Sequence, residues 1–177
     1  MIEPTRIGFS TTDALLSRLI RRLTRSKVSH AWLVYRDVDF DREMVMEAVG
    51  AGFRIVPLDK FAQHNRIVEI VTPRHPIDEG LKAAVDWLGE GYDARGLVGM
   101  GLLLLVRALR RRTRRVRNLF ASRRALFCSE AVARACRASA YPGFDRDPET
   151  TSPQDLYAFF EAERRATPAA PALASPV

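Results

Sequence analysis

Apolar residues recur along the chain at two spacings, and each spacing predicts a different kind of element. Runs rich in Val, Ile, Met, Tyr, Phe and Trp, separated by Gly, Pro and Asp, predict strands. The predicted strands cover residues 5–10, 29–37, 43–50, 53–56 and 66–72. Leucines and isoleucines three and four residues apart predict a helix from Thr12 to Arg25, with Thr12 as its N-cap. A short helix at 57–64 completes the elements predicted before residue 73.

Three further helices are predicted in the second half of the chain. The first opens at Pro76, which two acidic residues follow, and ends at Gly89 and Gly91. Its apolar stripe consists of Ile77, Leu81, Ala84, Val85 and Leu88. The second runs from about Cys128 to Ser139, and the third covers 154–165 after a turn-rich loop.

Length and composition predict one domain with a short tail. The chain has 177 residues, of which 47% are hydrophobic, and this is enough to form one buried core. We therefore expect a single domain over residues 1–165. The last residues, 166–177, are rich in Ala and Pro and are predicted to be disordered.

An unusual segment at 97–117 is predicted to be an insertion in this domain. Leu97–Val106 is almost wholly apolar, and Arg107–Arg117 is dominated by arginine. The apolar run is too short to span a bilayer, which needs roughly 20 residues. The segment suits a core helix with a basic end. A sharper interpretation is an interfacial element that inserts leucines into lipid and contacts anionic headgroups through its arginines. Nucleic-acid binding is a third interpretation.

The charge of the chain favours anionic partners. The net charge is +7 and the sequence pI is about 10.1. No stacking motif accompanies the basic residues, so we expect no specific recognition of nucleic acid. The N-terminal residues lack an apolar signal core, and the two cysteines stand eight residues apart on one predicted helix, too far for a disulfide. We expect a cytoplasmic protein, which the 97–117 segment could bring to the membrane periphery, and leave its oligomeric state open.

Cys128 and His30 are the candidate reactive groups. Cys128 stands where an apolar run becomes a helix, and a helix N-terminus favours the thiolate. A single candidate nucleophile with a distant histidine indicates a cysteine hydrolase. Cys128 could instead be an ordinary buried cysteine, and His30 a histidine at a strand edge. His64 and His75 lie in polar, turn-like contexts and are expected at the surface.

Glu47 interrupts an otherwise apolar strand. A carboxylate there is costly unless it has a partner. If its strand pairs with the His30 strand, Glu47 can orient the imidazole; the alternative is a partly exposed glutamate on an edge strand. No metal-ligand spacing occurs, so no metal site and no cofactor are expected.

Six short motifs follow one another in a characteristic order. They are Ser29-His30, Glu47-Ala48, Pro57-Leu58, Tyr92-Asp93, Cys128-Ser129-Glu130 and Ser152-Pro153-Gln154-Asp155-Leu156. This set resembles the circularly permuted papain-like cysteine hydrolases, the YiiX-like branch of the NlpC-type superfamily, which also includes the lecithin:retinol acyltransferase-like enzymes. In the permuted group, as here, the histidine precedes the cysteine. The resemblance covers roughly residues 5–160. It implies an α+β, permuted papain-like (NlpC-like) fold, in which an antiparallel sheet packs against the cysteine-bearing helix.

The resemblance also implies a role for each candidate residue. Cys128 becomes the nucleophile, His30 the general base and later the acid, and Glu47 the group that orients His30. With glutamate at the third position, the chain resembles the YiiX-like branch. The acyltransferase-like branch often has histidine there. The segment 97–117 is longer than the resemblance predicts, and it could cover the substrate cleft.

The expected activity is cleavage of an amide bond through a thioester, in a peptide or isopeptide, with a cell-wall-related substrate as one candidate. The backbone N–H of Cys128 would stabilise the oxyanion. One alternative is a membrane-associated hydrolase of lipid amides or esters, or an acyltransferase. A second is a basic binding protein that keeps the scaffold without catalysis.

Overall fold

A five-stranded antiparallel sheet forms the centre of the molecule. The computed structural model describes residues 3–89, 91–92 and 125–166. The strands are β1 (Arg6–Thr11), β2 (His30–Asp37), β3 (Arg42–Val49), β4 (Gly52–Pro57) and β5 (Arg66–Val71). Their order across the sheet is β4-β3-β2-β1-β5, and every neighbouring pair is antiparallel. All five correspond to predicted strands.

Helices and a short strand pair complete the described elements. The helices are α1 (Leu15–Thr24), α2 (Leu58–Ala62), α3 (Asp78–Val85), α4 (Cys128–Ala138) and α5 (Pro153–Ala166), with a 3-10 turn at Pro148–Thr150. The short strands β6 (Gly91–Tyr92) and β7 (Ala125–Leu126) pair in parallel and were not predicted. The fold is therefore α+β, as expected.

Side chains alternate between the two faces of the sheet. A hydrophobic cluster covers each face, so both faces are buried. One face packs on the cysteine-bearing helix α4 through a cluster that includes Phe9, Leu33, Met46, Val132 and Cys136. On the other face, a smaller cluster is formed by Trp32, Val34, Val45 and Phe61 of α2. The helix that carries Cys128 is thus held against the sheet by apolar burial, as predicted.

A glycine lets α3 approach α4 closely. A Cβ atom added at Gly80 would lie 2.1 Å from the backbone oxygen of Ala135, a distance that real Cβ atoms essentially never show. The Gly80 N–H also donates a hydrogen bond to Ser139 Oγ at 2.8 Å. The end of α4 is thereby fixed against α3.

Two predicted helix boundaries are wrong. Helix α1 begins at Leu15, its N-cap is Ala14, and no side chain caps it. Thr12 instead donates its backbone N–H to Ser17 Oγ at 3.1 Å, in the segment that leaves β1. Helix α3 ends at Val85, four residues before Gly89. Gly89 has a φ of +82° and donates to the Phe53 carbonyl at 3.1 Å, so it forms part of a later turn.

Some predictions lie outside the described residues. These are the insertion at 97–117 and nearly all of the tail at 166–177. The single domain over 1–165 remains a prediction. Within the described ranges, no helix is both long and apolar enough to cross a membrane.

Candidate active site

Cys128 is the first residue of α4. The chain reaches it through β7 and Phe127, whose extended backbone (φ −110°, ψ 162°) forms the N-cap. The side chain of Phe127 is buried in the core, so the start of the helix is anchored. Cys128 itself is only 7% exposed and is not in a disulfide. Its thiol therefore lies at the positive end of the helix dipole.

His30 is the first residue of β2. Backbone pairing places it opposite Ser10 of β1, and the preceding Ser29 donates its N–H to the Ser10 carbonyl at 3.0 Å. The imidazole stacks on Phe61, with ring centroids 6.2 Å apart and planes 24° apart. The side chain is 15% exposed. Strand pairing and ring stacking together fix the position of the imidazole.

Glu47 is buried on β3 and bonds to His30. Its Oε2 lies 2.8 Å from His30 Nε2, and the residue is 1% exposed. β3 is an interior strand between β2 and β4, so the alternative of a partly exposed edge-strand glutamate does not hold. Because Glu47 occupies Nε2, the other ring nitrogen of His30 is left for Cys128. The structure thus brings all three predicted residues together.

Arg54 completes the surroundings of Glu47 and was missed by the sequence analysis. Its Nε and Nη2 donate to Glu47 Oε1 at 3.0 and 2.8 Å. Both carboxylate oxygens are therefore bonded, one to His30 and one to Arg54. A signal for this was present in the sequence, because a tight turn around Gly50 puts residue 47 directly across from residue 54.

The charges of these residues reinforce one another. Burial alone would lower the pKa of His30, but interaction with the Cys128 thiolate and then with Glu47 raises it to about 9. Burial would raise the pKa of Cys128, yet His30 and the backbone groups of Ala31 and Ser129 lower it. For Glu47, burial is likewise outweighed, and hydrogen bonds from His30 and Arg54 lower its pKa. Both shifts favour a thiolate beside an imidazolium over the neutral pair.

The second cysteine has the opposite character. Cys136 is fully buried in the core cluster, and burial, with a further contribution from Glu163, raises its pKa to about 12. It is therefore a thiol at neutral pH. The two remaining histidines, His64 and His75, are exposed, as expected from their polar contexts.

The residues after Cys128 join α4 to the loop that precedes α5. Ser129 Oγ donates to the Thr151 carbonyl at 2.7 Å, and both residues are buried. Ser152 then caps α5: its Oγ accepts the Asp155 N–H at 3.2 Å, while Asp155 Oδ2 accepts the Ser152 N–H at 3.0 Å. The motif at 152–156 thus forms a capping box at the start of α5. It directly follows Thr151, whose carbonyl accepts the hydrogen bond from Ser129 at the start of α4.

A cleft of about 310 Å³ opens between the end of β1 and the end of α2. Its lining is mostly polar and consists of Thr11, Thr12, Asp13, Ala62, Gln63, His64, Asn65 and Arg66. Two of these residues are direct neighbours of site contacts. Thr11 follows Ser10, which pairs with His30, and Ala62 follows Phe61, on which His30 stacks. The cleft is thus one residue along the chain from two contacts of His30, and none of Cys128, His30 and Glu47 lines it.

Comparison with solved structures shows a protein of similar fold. The crystal structure of metalloprotein yiiX from Escherichia coli O157:H7 matches this chain with a TM-score of 0.54 and 18% sequence identity. The match covers 78% of this chain and 66% of yiiX, so the chain spans slightly less than two thirds of that protein. No family model and no curated protein sequence matches the chain. The expected YiiX-like relationship is confirmed at the level of the fold.

Proposed function

We propose that this protein is a cysteine hydrolase of permuted papain-like architecture, which cleaves an amide bond through a thioester on Cys128. The observation that carries the proposal is the continuous series of contacts from Arg54 through Glu47 and His30 to Cys128. A buried carboxylate that orients a histidine beside a thiol of lowered pKa is the arrangement that nucleophilic catalysis requires. A scaffold kept only for binding would need none of these shifts.

The first half of the reaction forms the thioester. The Cys128 thiolate attacks the carbonyl carbon of the scissile amide, and a carbon–sulfur bond forms while the oxygen becomes negative. The backbone N–H of Cys128, at the start of α4, donates to that oxygen. His30 gives its proton to the nitrogen of the leaving group, the carbon–nitrogen bond breaks, and the free amine departs.

The second half releases the acid. A water molecule attacks the thioester carbon, and neutral His30 takes its proton. The carbon–sulfur bond breaks and a carboxylic acid leaves. The thiolate and the imidazolium are thereby restored. Glu47 holds the ring in one tautomer and stabilises its positive charge throughout, and Arg54 keeps Glu47 ionised and in place.

The cleft between the end of β1 and the end of α2 favours a polar substrate. Carboxylate, amide, hydroxyl and guanidinium groups line it, and these suit the backbone and polar side chains of a peptide or isopeptide better than an acyl chain. We therefore favour an amide substrate over a lipid substrate.

The described residues do not fit a metal centre, although the printed name of yiiX calls that protein a metalloprotein. Among residues 3–89, 91–92 and 125–166, no group of three or more His, Cys, Asp or Glu side chains is arranged to hold a metal ion. Glu47 and Cys128 both face His30, and Arg54 occupies the other oxygen of Glu47. The steps above therefore run through these side chains alone.

Acyl transfer to Cys128 tests the proposal directly. The full-length protein is incubated with p-nitrophenyl acetate at pH 7, and p-nitrophenol release and the protein mass are followed. We expect a burst of p-nitrophenol and one acetyl group on Cys128 that hydroxylamine removes. The Cys136→Ala variant should behave as the wild type, whereas Cys128→Ala should show no burst. A wild-type protein without a burst, or one acetylated equally at other residues, would overturn the proposal.

A further inference from the structure

Helix α1 presents an exposed apolar face. Leu15 is 79% exposed and Leu19 is 52% exposed. They stand four residues apart, so their side chains lie on the same side of the helix. Scattered apolar residues at a surface are ordinary, but two leucines in register on one helix form a continuous apolar strip.

This strip lies in strongly basic surroundings. From Leu15 to Lys27 the chain has five basic residues and no acidic one. Arg18 and Arg22 are exposed and stand three residues after Leu15 and Leu19, so they flank the strip. Arg25 and Lys27 are also exposed, just beyond the end of the helix.

A second exposed apolar pair provides a contrast within the same molecule. Val38 and Phe40 are 71% and 70% exposed in the turn between β2 and β3. They alternate with Asp37, Asp39 and Asp41, so their surroundings are acidic. Exposed apolar side chains therefore also occur outside α1, but at this turn acidic residues rather than basic ones alternate with them.

We propose that α1 lies on the surface of an anionic lipid bilayer, with Leu15 and Leu19 inserted among the acyl chains and the flanking arginines at the headgroups. A helix with an apolar strip bordered by arginine is suited to that interface, because it gains from both burial and charge. Nucleic acid would use the arginines but leave the leucines in water, so lipid accounts for more of the helix.

Docking through α1 would also orient the candidate site. Ser17 of α1 hydrogen-bonds to Ser29, with 2.6 Å between the two Oγ atoms, and lies 3.1 Å from Thr11 Oγ1. Ser29 immediately precedes His30. The helix is thus tied to the end of the sheet that carries the histidine, and this end would face the membrane. The proposal does not depend on the proposed catalytic function.

Vesicle co-sedimentation of the full-length protein tests the proposal. Phosphatidylcholine vesicles with and without 30% phosphatidylserine (about a third anionic lipid) are compared at low and high salt. We expect binding to the anionic vesicles only, and weaker binding as the salt concentration rises. The variant Leu15→Ser/Leu19→Ser should bind about tenfold more weakly, as should Arg18→Gln/Arg22→Gln. The matched control Val38→Ser/Phe40→Ser should bind as the wild type does.

Other results would overturn the proposal. These include equal binding to neutral and anionic vesicles, or binding to neither. Loss of binding only in Leu103→Ser/Leu104→Ser would assign the lipid contact to the 97–117 segment. Binding of a DNA duplex would assign α1 to nucleic-acid binding if that binding were lost in Arg18→Gln/Arg22→Gln but unchanged in Leu15→Ser/Leu19→Ser. Circular dichroism of each variant distinguishes lost binding from lost folding.

Discussion

Cys128 and Cys136 differ in reactivity because their surroundings differ, although one helix carries both. His30 lowers the pKa of Cys128, and burial raises that of Cys136 to about 12. We expect iodoacetamide to alkylate Cys128 at least about tenfold faster than Cys136 at pH 6, since only the thiolate reacts. Mass spectrometry of the two peptides measures the rates. His30→Ala should slow alkylation of Cys128 and leave Cys136 unchanged; equal rates in the wild type would contradict the proposed ion pair.

Glu47 should matter to catalysis more than to folding. Glu47→Gln keeps the shape of the side chain but removes the charge that stabilises the imidazolium. We expect acetyl transfer to Cys128 to slow by about a hundredfold or more. The pKa of His30, followed by NMR of the ring protons, should also fall, because one of the groups that raise it is lost. A merely structural role would leave that pKa unchanged.

Substitution of Arg54 tests the same series of contacts, one residue further from His30. It is half exposed and contacts Glu47 but not His30, so Arg54→Gln should slow the same reaction less than Glu47→Gln does. The exposed Arg165→Gln serves as a control for loss of a surface charge. A larger effect from Arg54→Gln than from Glu47→Gln would place the important contact elsewhere.

At the scale of elements, the backbone just after α4 is strained at one residue, and a glycine there should relieve the strain. Ala140 follows the helix with a φ of +46°. Tyr141 N–H bonds to the Cys136 carbonyl and Ala140 N–H to the Arg137 carbonyl, which is the Schellman pattern that favours glycine. Because Ala140 is exposed and loses no packing, Ala140→Gly should raise the free energy of unfolding by roughly 1 kcal/mol.

Urea unfolding measures this change, and a neighbouring residue supplies the control. Ala138 is also exposed but lies within the helix. There glycine costs backbone entropy, so Ala138→Gly should lower the free energy of unfolding by roughly 0.5–1 kcal/mol. Effects of the same sign in both variants would show that the left-handed backbone at residue 140 is not strained.

The contact between α3 and α4 should be intolerant of a methyl group. The added Cβ in Gly80→Ala would press on the Ala135 carbonyl, so the helices must separate. We expect a loss of roughly 1–3 kcal/mol in the free energy of unfolding. Gly50 has open space around its Cβ position, and Gly50→Ala should change stability by less than about 0.5 kcal/mol. Similar losses in the two variants would contradict the close approach.

At the scale of the whole molecule, the ion pair makes stability depend on pH. His30, whose pKa rises from 6.5 to about 9, contributes stability that is complete below pH 6.5 and lost as the pH rises to about 9. Cys128, whose pKa is lowered from 9.0, contributes stability that is complete above pH 9 and lost as the pH falls toward its lowered value. Between pH 6.5 and 9 the two trends oppose each other, and below 6.5 only the loss from Cys128 remains.

The stability difference between the wild type and Cys128→Ala/His30→Ala isolates this effect. We expect that difference to stay nearly constant from pH 6.5 to 9 and to decrease from pH 6.5 to 5. Urea unfolding at several pH values measures it, and other titrating groups such as Glu130 are common to both proteins. A difference that increased as the pH fell below 6.5 would contradict the lowered pKa of Cys128, because that shift can only reduce stability as the pH falls.

The sequence by itself determined the five strands of the central sheet and singled out the three residues of the candidate site. The strands were predictable because their β-branched and aromatic runs are local patterns, bounded by Gly and Pro. Cys128 and His30 stood out as a nucleophile at a helix start and a distant histidine, and Glu47 as a charge in an apolar strand. Each of these signals depends only on neighbouring residues.

Tertiary structure decided the boundaries and the partners. Helix α1 begins at Leu15 rather than directly after Thr12, whose backbone N–H bonds to Ser17. Gly89 lies beyond the end of α3, where its N–H bonds to the Phe53 carbonyl of β4. The pKa values of Cys128 and His30 depend on two groups about a hundred residues apart in sequence, which only strand pairing and helix packing bring together. Local pattern therefore specifies the five strands of the central sheet and points to the residues of the candidate site. Packing specifies where the elements end and which charges meet, because those outcomes depend on burial and on contacts that no short stretch of sequence contains.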